Sequence, residues 1–259
     1  QIVATAEKLG CTEIVSEDLS DGQLYRGTVD GDTLSAEIAS CDKNGRATGE
    51  FKAFKGFRNA PACPCASSKG VKLGEPIDLL ADGLAGWKTM NPNAKFGWEF
   101  KNGVLSNKLG LKADGSWAGG GANIMSKRCD FKDFNLSYDV RVPAKSNSGV
   151  YLRGRFEIQV VDSYGMAVDR HNMGAYYGRV TPSVSAEKAP GEWQHVDVTI
   201  ANRHITVVLN GTTIIDDAEI TGVTGGAIDA DIDAAGPIYL QGDHSDADFK
   251  NMILRPVVK

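Results

Sequence analysis

"GVYLRGRFEIQVVDSYG", residues 149–165, is the stretch on which the fold turns. Side chains alternate faces along a strand. Read as one strand, residues 150–160 put Val150, Leu152, Phe156, Ile158 and Val160 on one face, with Gly154 among them, and Tyr151, Arg153, Arg155, Glu157 and Gln159 on the other. The first set makes a sheet core. The second lines up an aromatic ring, two guanidiniums, a carboxylate and an amide. A solvated face with Arg and Glu paired for solubility would alternate in the same way. Two features argue for a site instead. The segments "KSNSG" (145–149) and "DSYG" (162–165) are turn-rich loops at the two ends, where functional residues concentrate. Further on, "GPIYLQGDHSDADF" (236–249) repeats the pattern, with Tyr239, Gln241 and Asp243 opposite Ile238 and Leu240, and His244 just beyond.

Working outward, the same signals recur. Asp30-Gly31, Asn102-Gly103 and Asn210-Gly211 each separate two strand-like runs. Such pairs supply the positive φ angles of two-residue hairpins. Period-2 alternation continues in "FNLSYDVRV" (134–142), "WQHVDVTIA" (193–201) and "ADFKNMILRPV" (247–257). No long amphipathic helix is legible after residue 75, and only the first 20 residues hint at a short one. The expected class is all-β, a two-sheet antiparallel jelly-roll sandwich with a small N-terminal β appendage. The segment "NAPACPCASSKGVKLGEP" (59–76) has no apolar period. It divides a Cys-containing appendage (1–75) from the main domain (76–259).

Composition excludes several partners. With a net charge of −5, mixed signs and no basic stripe, the 259-residue chain is not read as a nucleic-acid binder. No window reaches the roughly 20 apolar residues of a membrane helix. The opening "QIVATAEKLG" lacks a basic, then apolar, leader, so the expectation is a cytosolic protein or one whose signal peptide has been removed. Cys11, Cys41, Cys63 and Cys65 could form two disulfides in any of three pairings, and Cys129 reads as a buried thiol. Oligomeric state is not legible.

Sugars suit a face of this kind. Aromatic rings cover their C–H surface while amides, carboxylates and imidazoles satisfy their hydroxyls. Tyr176 and Tyr177, in the loop "HNMGAYYGRVTP" (171–182), are placed to meet such a ligand, and His171 sits on the same loop.

The succession "NSGVYLRGRFEIQVVDSYG", "GAYYGRVTPSVSAEKAPGEWQHVDVTIANRHITVVLNGTTIID" and "GPIYLQGDHSDADFKNMILRP", opened by "IDLLADGLAGWKTM", resembles the 3-keto-disaccharide hydrolase family from about residue 76 to the C-terminus. The resemblance implies a concanavalin-like jelly roll, a bacterial periplasmic or secreted protein, and sugar chemistry. From its matched motifs come Arg153, Glu157, Gln159, Asp162, Gln241 and His244 as site residues.

The chemistry turns on Gln159. Retaining jelly-roll glucanases pair two carboxylates roughly 5–5.5 Å apart. Here the matching positions are Glu157, Gln159 and Asp162, and a bulge would be needed to bring Asp162 onto the face of Glu157. A 3-keto sugar removes that requirement, because its ketone acidifies the C2 hydrogen and the C1 oxygen can leave by elimination. The expectation is a base, Glu157 or His244, with Arg153 stabilising the enolate oxygen, alone or with a divalent metal held by Glu157, Asp162 or His244. Gln159, Asp162, His171, Tyr176, Tyr177, Tyr239 and Gln241 would contact substrate. A non-catalytic carbohydrate-binding module and a conventional glycoside hydrolase are the alternatives.

Overall fold

A computed structural model describes residues 13–16, 23–30, 33–40, 49–57, 62–63 and 66–258. The chain divides into two compact units, residues 1–61 and 62–259. The smaller contains a four-stranded antiparallel sheet of β1 (Glu13–Ser16), β2 (Gln23–Asp30), β3 (Thr33–Ser40) and β4 (Lys52–Phe57), paired in that order. Glu13–Ser16 is thus strand within the segment expected to hint at a helix. Cys11, Cys41 and Cys65 lie outside the described residues.

The larger unit is the sandwich. Its strands are β5 (Lys72–Leu73), β6 (Ile77–Asp78), β7 (Trp87–Thr89), β8 (Trp98–Lys101), β9 (Val104–Asn107), β10 (Ile124–Ser126), β11 (Phe134–Arg141), β12 (Asn147–Leu152), β13 (Phe156–Val161), β14 (Gln194–Ala201), β15 (His204–Leu209), β16 (Thr212–Glu219), β17 (Tyr239–Leu240) and β18 (Ala247–Val258). Among the described residues the helical content is one 3-10 turn, Gly83–Gly86. None of their helices is long and apolar enough to cross a membrane.

Five strands form one sheet in the order β13-β12-β17-β10-β7. The other runs β16-β15-β14-β11-β18-β9-β8, with β5 and β6 also paired to β18. All named pairs are antiparallel, and the two-sheet jelly roll is the one expected from the alternation. The turn signals operate as read: Asn102 and Gly103 have φ of 52° and 77°, and Asn210 and Gly211 have φ of 50° and 84°.

Inner faces supply the core. Leu136, Tyr138 and Val140 of β11, Val196, Val198 and Ile200 of β14, and Ile205 and Val207 of β15 pack in one cluster with Val150, Leu152, Phe156, Ile158, Val160 and Leu240 from the five-stranded sheet. These are the apolar halves of the alternating runs, and their burial drives the two layers together. Cys129 departs from expectation. It is exposed and unpaired, between exposed Arg128 and Asp130 in the segment after β10, where no strand alternation draws it inward.

Candidate active site

Residues 149–165 are not one strand but a hairpin. β12 and β13 pair without register shift from Asn147↔Val161 to Leu152↔Phe156, leaving Arg153, Gly154 and Arg155 as a three-residue loop. Arg153 and Gly154 carry the positive φ values, 54° and 68°, that reverse the chain. A loop of odd length preserves number parity across the hairpin. Tyr151 therefore lies opposite Glu157, and Gly149 opposite Gln159, on the face turned away from the core.

The two arginines leave that row. Arg153 donates from Nη2 to Asp133 at 2.8 Å and from Nη1 to the Ile232 carbonyl at 3.2 Å, with its guanidinium 5.6 Å from the Phe156 ring centroid. Arg155 grips both oxygens of Asp229 at 2.6 and 2.5 Å, and donates to the Arg153 carbonyl at 2.9 Å. Both side chains are buried. Their place in a ligand-facing row was an artefact of reading the turn as strand; the loop residues tie the hairpin to the chain before β11 and to residues 229–235.

The row continues across the sheet. Tyr151 pairs with Tyr239 of β17, Tyr239 with Met125 of β10, and Met125 with Lys88 of β7. The Tyr151 and Tyr239 rings stack at 4.1 Å with an interplanar angle of 10°. At the other end, the Tyr177 amide donates to the Glu157 carbonyl at 3.0 Å, and Tyr176 forms a bridge with Ile158. That bridge sorts the tyrosine pair. Tyr176 falls on the core side, fully buried, with its hydroxyl donating to the Gly222 carbonyl, so the ligand contact expected of it is replaced by a core role. Tyr177 falls on the Glu157 side, half-buried, with the His171 ring edge-on to it at 5.1 Å. His171 in turn is bonded to Asp169 at 2.7 Å.

An outer sheet face would ordinarily be wet, yet Tyr151, Glu157, Gln159 and Tyr239 are at most 3% exposed. Loops roof them. The Tyr151 hydroxyl donates to the Gly225 carbonyl at 2.9 Å, and Gly226 packs so closely over that hydroxyl that a Cβ would collide with it. Gly149 does the same service beneath: a Cβ there would fall on the Glu157 carboxylate, so glycine gives the acid its space. Burial pushes the Glu157 carboxyl up to about 8, against the opposing effects of the Tyr151 hydroxyl and the His244 charge, with Asp243 adding to the rise.

His244 and Asp243 form the second half of the site. Their Nδ1 to Oδ1 distance is 2.5 Å. This bond raises the imidazole above its ordinary value despite partial burial, and the Asp243 and Glu157 charges add to it. Burial acts to raise the Asp243 carboxyl, but His244 and the Asn123 amide outweigh it and leave the group below the usual range. Gln241 presents its side chain on the same face, its amide N–H held by the Gly149 carbonyl at 2.9 Å. Gln159 turns its Oε1 back to accept from the Val160 amide at 2.9 Å.

Asp162 does not join Glu157. The register of β13 runs to Val161 with no bulge, and the Asp162 carboxylate accepts from the Lys145 amide at 2.8 Å, where Lys145 turns with φ of 58°. The two-carboxylate spacing of a retaining glucanase is therefore not built from these residues. Among the described residues no group of three or more His, Cys, Asp or Glu side chains is placed to hold a metal ion, and Asp162 is engaged by the Lys145 amide. Sequence reasoning passed over Asn123, Asn147 and Gly149 as site residues. The legible signal for the last two was their odd number, in phase with Tyr151 and Glu157.

A β-sandwich with an acid, an imidazole and stacked tyrosines gathered on a loop-roofed sheet face is the frame of a carbohydrate-active protein. The chain belongs to the family described as the 3-keto-alpha-glucoside-1,2-lyase-like domain, whose model matches residues 76–255. The motif-based resemblance is thereby confirmed. Among solved structures, three of a "putative glycosyl hydrolase" from Parabacteroides distasonis ATCC 8503 are similar. One has 22% identity and a TM-score of 0.54, covering 71% of this chain and 100% of that one. A second has 24% identity and a TM-score of 0.54, covering 77% and 94%. The third has 20% identity and a TM-score of 0.55, covering 71% and 94%. At these identities the likeness concerns the fold. No curated protein sequence gives a significant match.

Proposed function

We propose that the protein cleaves 3-keto glycosides by elimination across C1 and C2, followed by hydration. The observation that carries the proposal is Glu157, a single buried carboxyl pushed up to about 8 and set beside the His244–Asp243 pair, with no partner carboxylate at Gln159 or Asp162. A base tuned toward neutrality suits proton abstraction next to a carbonyl, whereas a glucanase nucleophile must stay ionised.

In the proposed sequence the Glu157 carboxylate takes the C2 proton, and the C2–H electron pair moves into an enolate ending on the C3 oxygen. The enolate collapses to a C1=C2 double bond, and the C1–O bond breaks with its electrons on the aglycone oxygen. That oxygen takes a proton from the His244 imidazolium, which Asp243 favours. Water then adds to the 3-keto glycal, restoring C2–H and placing a hydroxyl at C1, so the net change is hydrolysis. The enolate donor assigned to Arg153 at the sequence level is better supplied from the row itself. Burial raises the Tyr239 hydroxyl above its ordinary value, which keeps it protonated as a donor on the face of Glu157.

The test is aglycone release from 4-nitrophenyl α-glucoside and its 3-keto derivative, with and without a chelator. Cleavage of the keto sugar alone, unaffected by chelator, is the expected result. Cleavage of the parent glucoside would replace elimination by a two-carboxylate mechanism. Binding of either sugar without cleavage would make the domain a carbohydrate-binding module.

A further inference from the structure

Two buried acceptors on the face of Glu157 have no partner among the described residues: Asn147 Oδ1 and Gln241 Oε1. The other such atoms belong elsewhere, to Trp87 and Tyr138 in the core, Asn107, the Arg153 turn and Arg203. A buried polar atom without a hydrogen bond costs stability, and a fold normally removes it. Here the backbone around both residues is pinned instead. Ser245 Oγ accepts from the Asn147 amide and donates to the Asn147 carbonyl, each at 2.7 Å. Gln241 gives its amide N–H to Gly149 at 2.9 Å, and its carbonyl accepts from Ser148 Oγ at 2.7 Å. The backbone of both residues is held in place while their side-chain oxygens are left unused.

Their positions define a shape. Gly149 lies opposite Gln241 and two residues from Asn147 on the same face, so the two amides are diagonal neighbours flanking the spot where the Glu157 carboxyl rests. Diagonal pairs stand roughly 7–8 Å apart, a span that fits hydroxyls on opposite edges of one sugar ring rather than a vicinal pair. Each residue as a whole is half-buried, and the broad terminal amide torsion lets its oxygen turn to a donor arriving from the open side.

We propose that Asn147 and Gln241 form the subsite that reads free hydroxyls on opposite edges of the keto-bearing ring, at C2 and C6, and so fix its C2 hydrogen against Glu157. The assignment rests on the elimination reading for which ring is held. It predicts an uncommon pair of effects. Replacing either amide by an apolar residue of similar shape, Asn147→Leu or Gln241→Met, removes an unsatisfied acceptor and leaves thermal stability unchanged or higher, but weakens sugar binding.

The experiment measures both in a Glu157→Gln background, which keeps the substrate intact. Binding of 4-nitrophenyl 3-keto-α-glucoside and its 2-deoxy and 6-deoxy forms is read by calorimetry, and Tm by thermal unfolding. Each variant is expected to lose about tenfold in affinity and to become indifferent to one deoxy substitution that costs the parent about the same factor. Unchanged affinity, or a lower Tm accompanying the loss, overturns the subsite, as does failure of the Glu157→Gln protein to bind the keto glucoside at millimolar concentration. If the wild-type protein binds without turnover and the deoxy pattern holds, the elimination reading falls and the subsite stands.

Discussion

The hairpin of β12 and β13 contains two regions that treat charge in opposite ways. At its turn, the buried Arg153 and Arg155 each meet a carboxylate, Asp133 and Asp229, at 2.8 and 2.5 Å. Two residues further on, Glu157 is buried with no cation in hydrogen-bond contact among the described residues, its carboxyl pushed up to about 8. A fold that matches two buried charges and leaves a third unmatched a few ångströms along the same hairpin is using them differently. Matched groups hold the hairpin against the surrounding chain. The unmatched one costs stability and keeps a protonation state poised for chemistry.

Glu157→Gln gives the largest expected effect and breaks the contrast most directly. Turnover of a 3-keto glucoside should fall about 10²–10⁴-fold, the usual worth of a positioned general base. Stability should move the other way. The folded carboxyl titrates above its unfolded value of 4.5, so between pH 4.5 and about 8 the native state holds a proton that the unfolded chain has released. The contribution of Glu157 is therefore full below pH 4.5 and lost as pH rises toward 8. At pH 8 the loss is on the order of 4 kcal/mol, and the glutamine variant escapes it. Denaturant unfolding at pH 5 and pH 8 should show the variant's advantage growing with pH. Equal advantage at both pH values, or none, would remove Glu157 from the unmatched side of the comparison.

Arg153→Ala tests the matched side. Removing the buried guanidinium leaves Asp133, itself partly exposed and still bonded by the Asn202 amide, without its partner, and should destabilise by about 1–3 kcal/mol. Turnover per folded molecule should stay within a few-fold of wild type, measured at a temperature where the variant remains folded. A variant that keeps its stability but loses turnover would return Arg153 to the enolate and erase the distinction between turn and row.

That distinction also marks where the sequence was legible. Alternation and Asn-Gly turns were enough for an all-β sandwich, because apolar burial on one face leaves a period-2 trace wherever a strand runs. The Tyr151 and Glu157 row was legible for a less obvious reason: the loop between them has three residues, so counting by twos survives the reversal. The reversal itself was not legible, since Arg153 takes a positive φ that a Leu-Arg-Gly-Arg stretch does not advertise. Tyr176 and Tyr177 were indistinguishable until the bridge to Ile158 sent one to the core and one to the site. The face of Asn147 was legible from its odd number, but its unused oxygen was not, because an unsatisfied acceptor is a property of surroundings, not of a residue type.

The smallest expected effect comes from Gln159→Glu, which sharpens the comparison by adding a second unmatched carboxyl. Residues 157 and 159 share a face of β13, roughly 6.5–7 Å apart along the strand. Two carboxyls at that range oppose each other's ionisation, so Glu157 should titrate further above its present value. The limb of the pH–rate profile for the keto glucoside that reports Glu157 ionisation should move to higher pH by about one unit, which lowers turnover at pH 7 by up to about tenfold. The parent glucoside should remain uncut. Restoring a carboxyl at this position supplies a charge but not a nucleophile, because the Gln159 side chain is turned back onto the Val160 amide and the Asp162 position stays tied to Lys145. Cleavage of the parent by this variant would mean that the row is one side chain away from a two-carboxylate glycosidase, and that Gln159 alone decides which chemistry the hairpin performs.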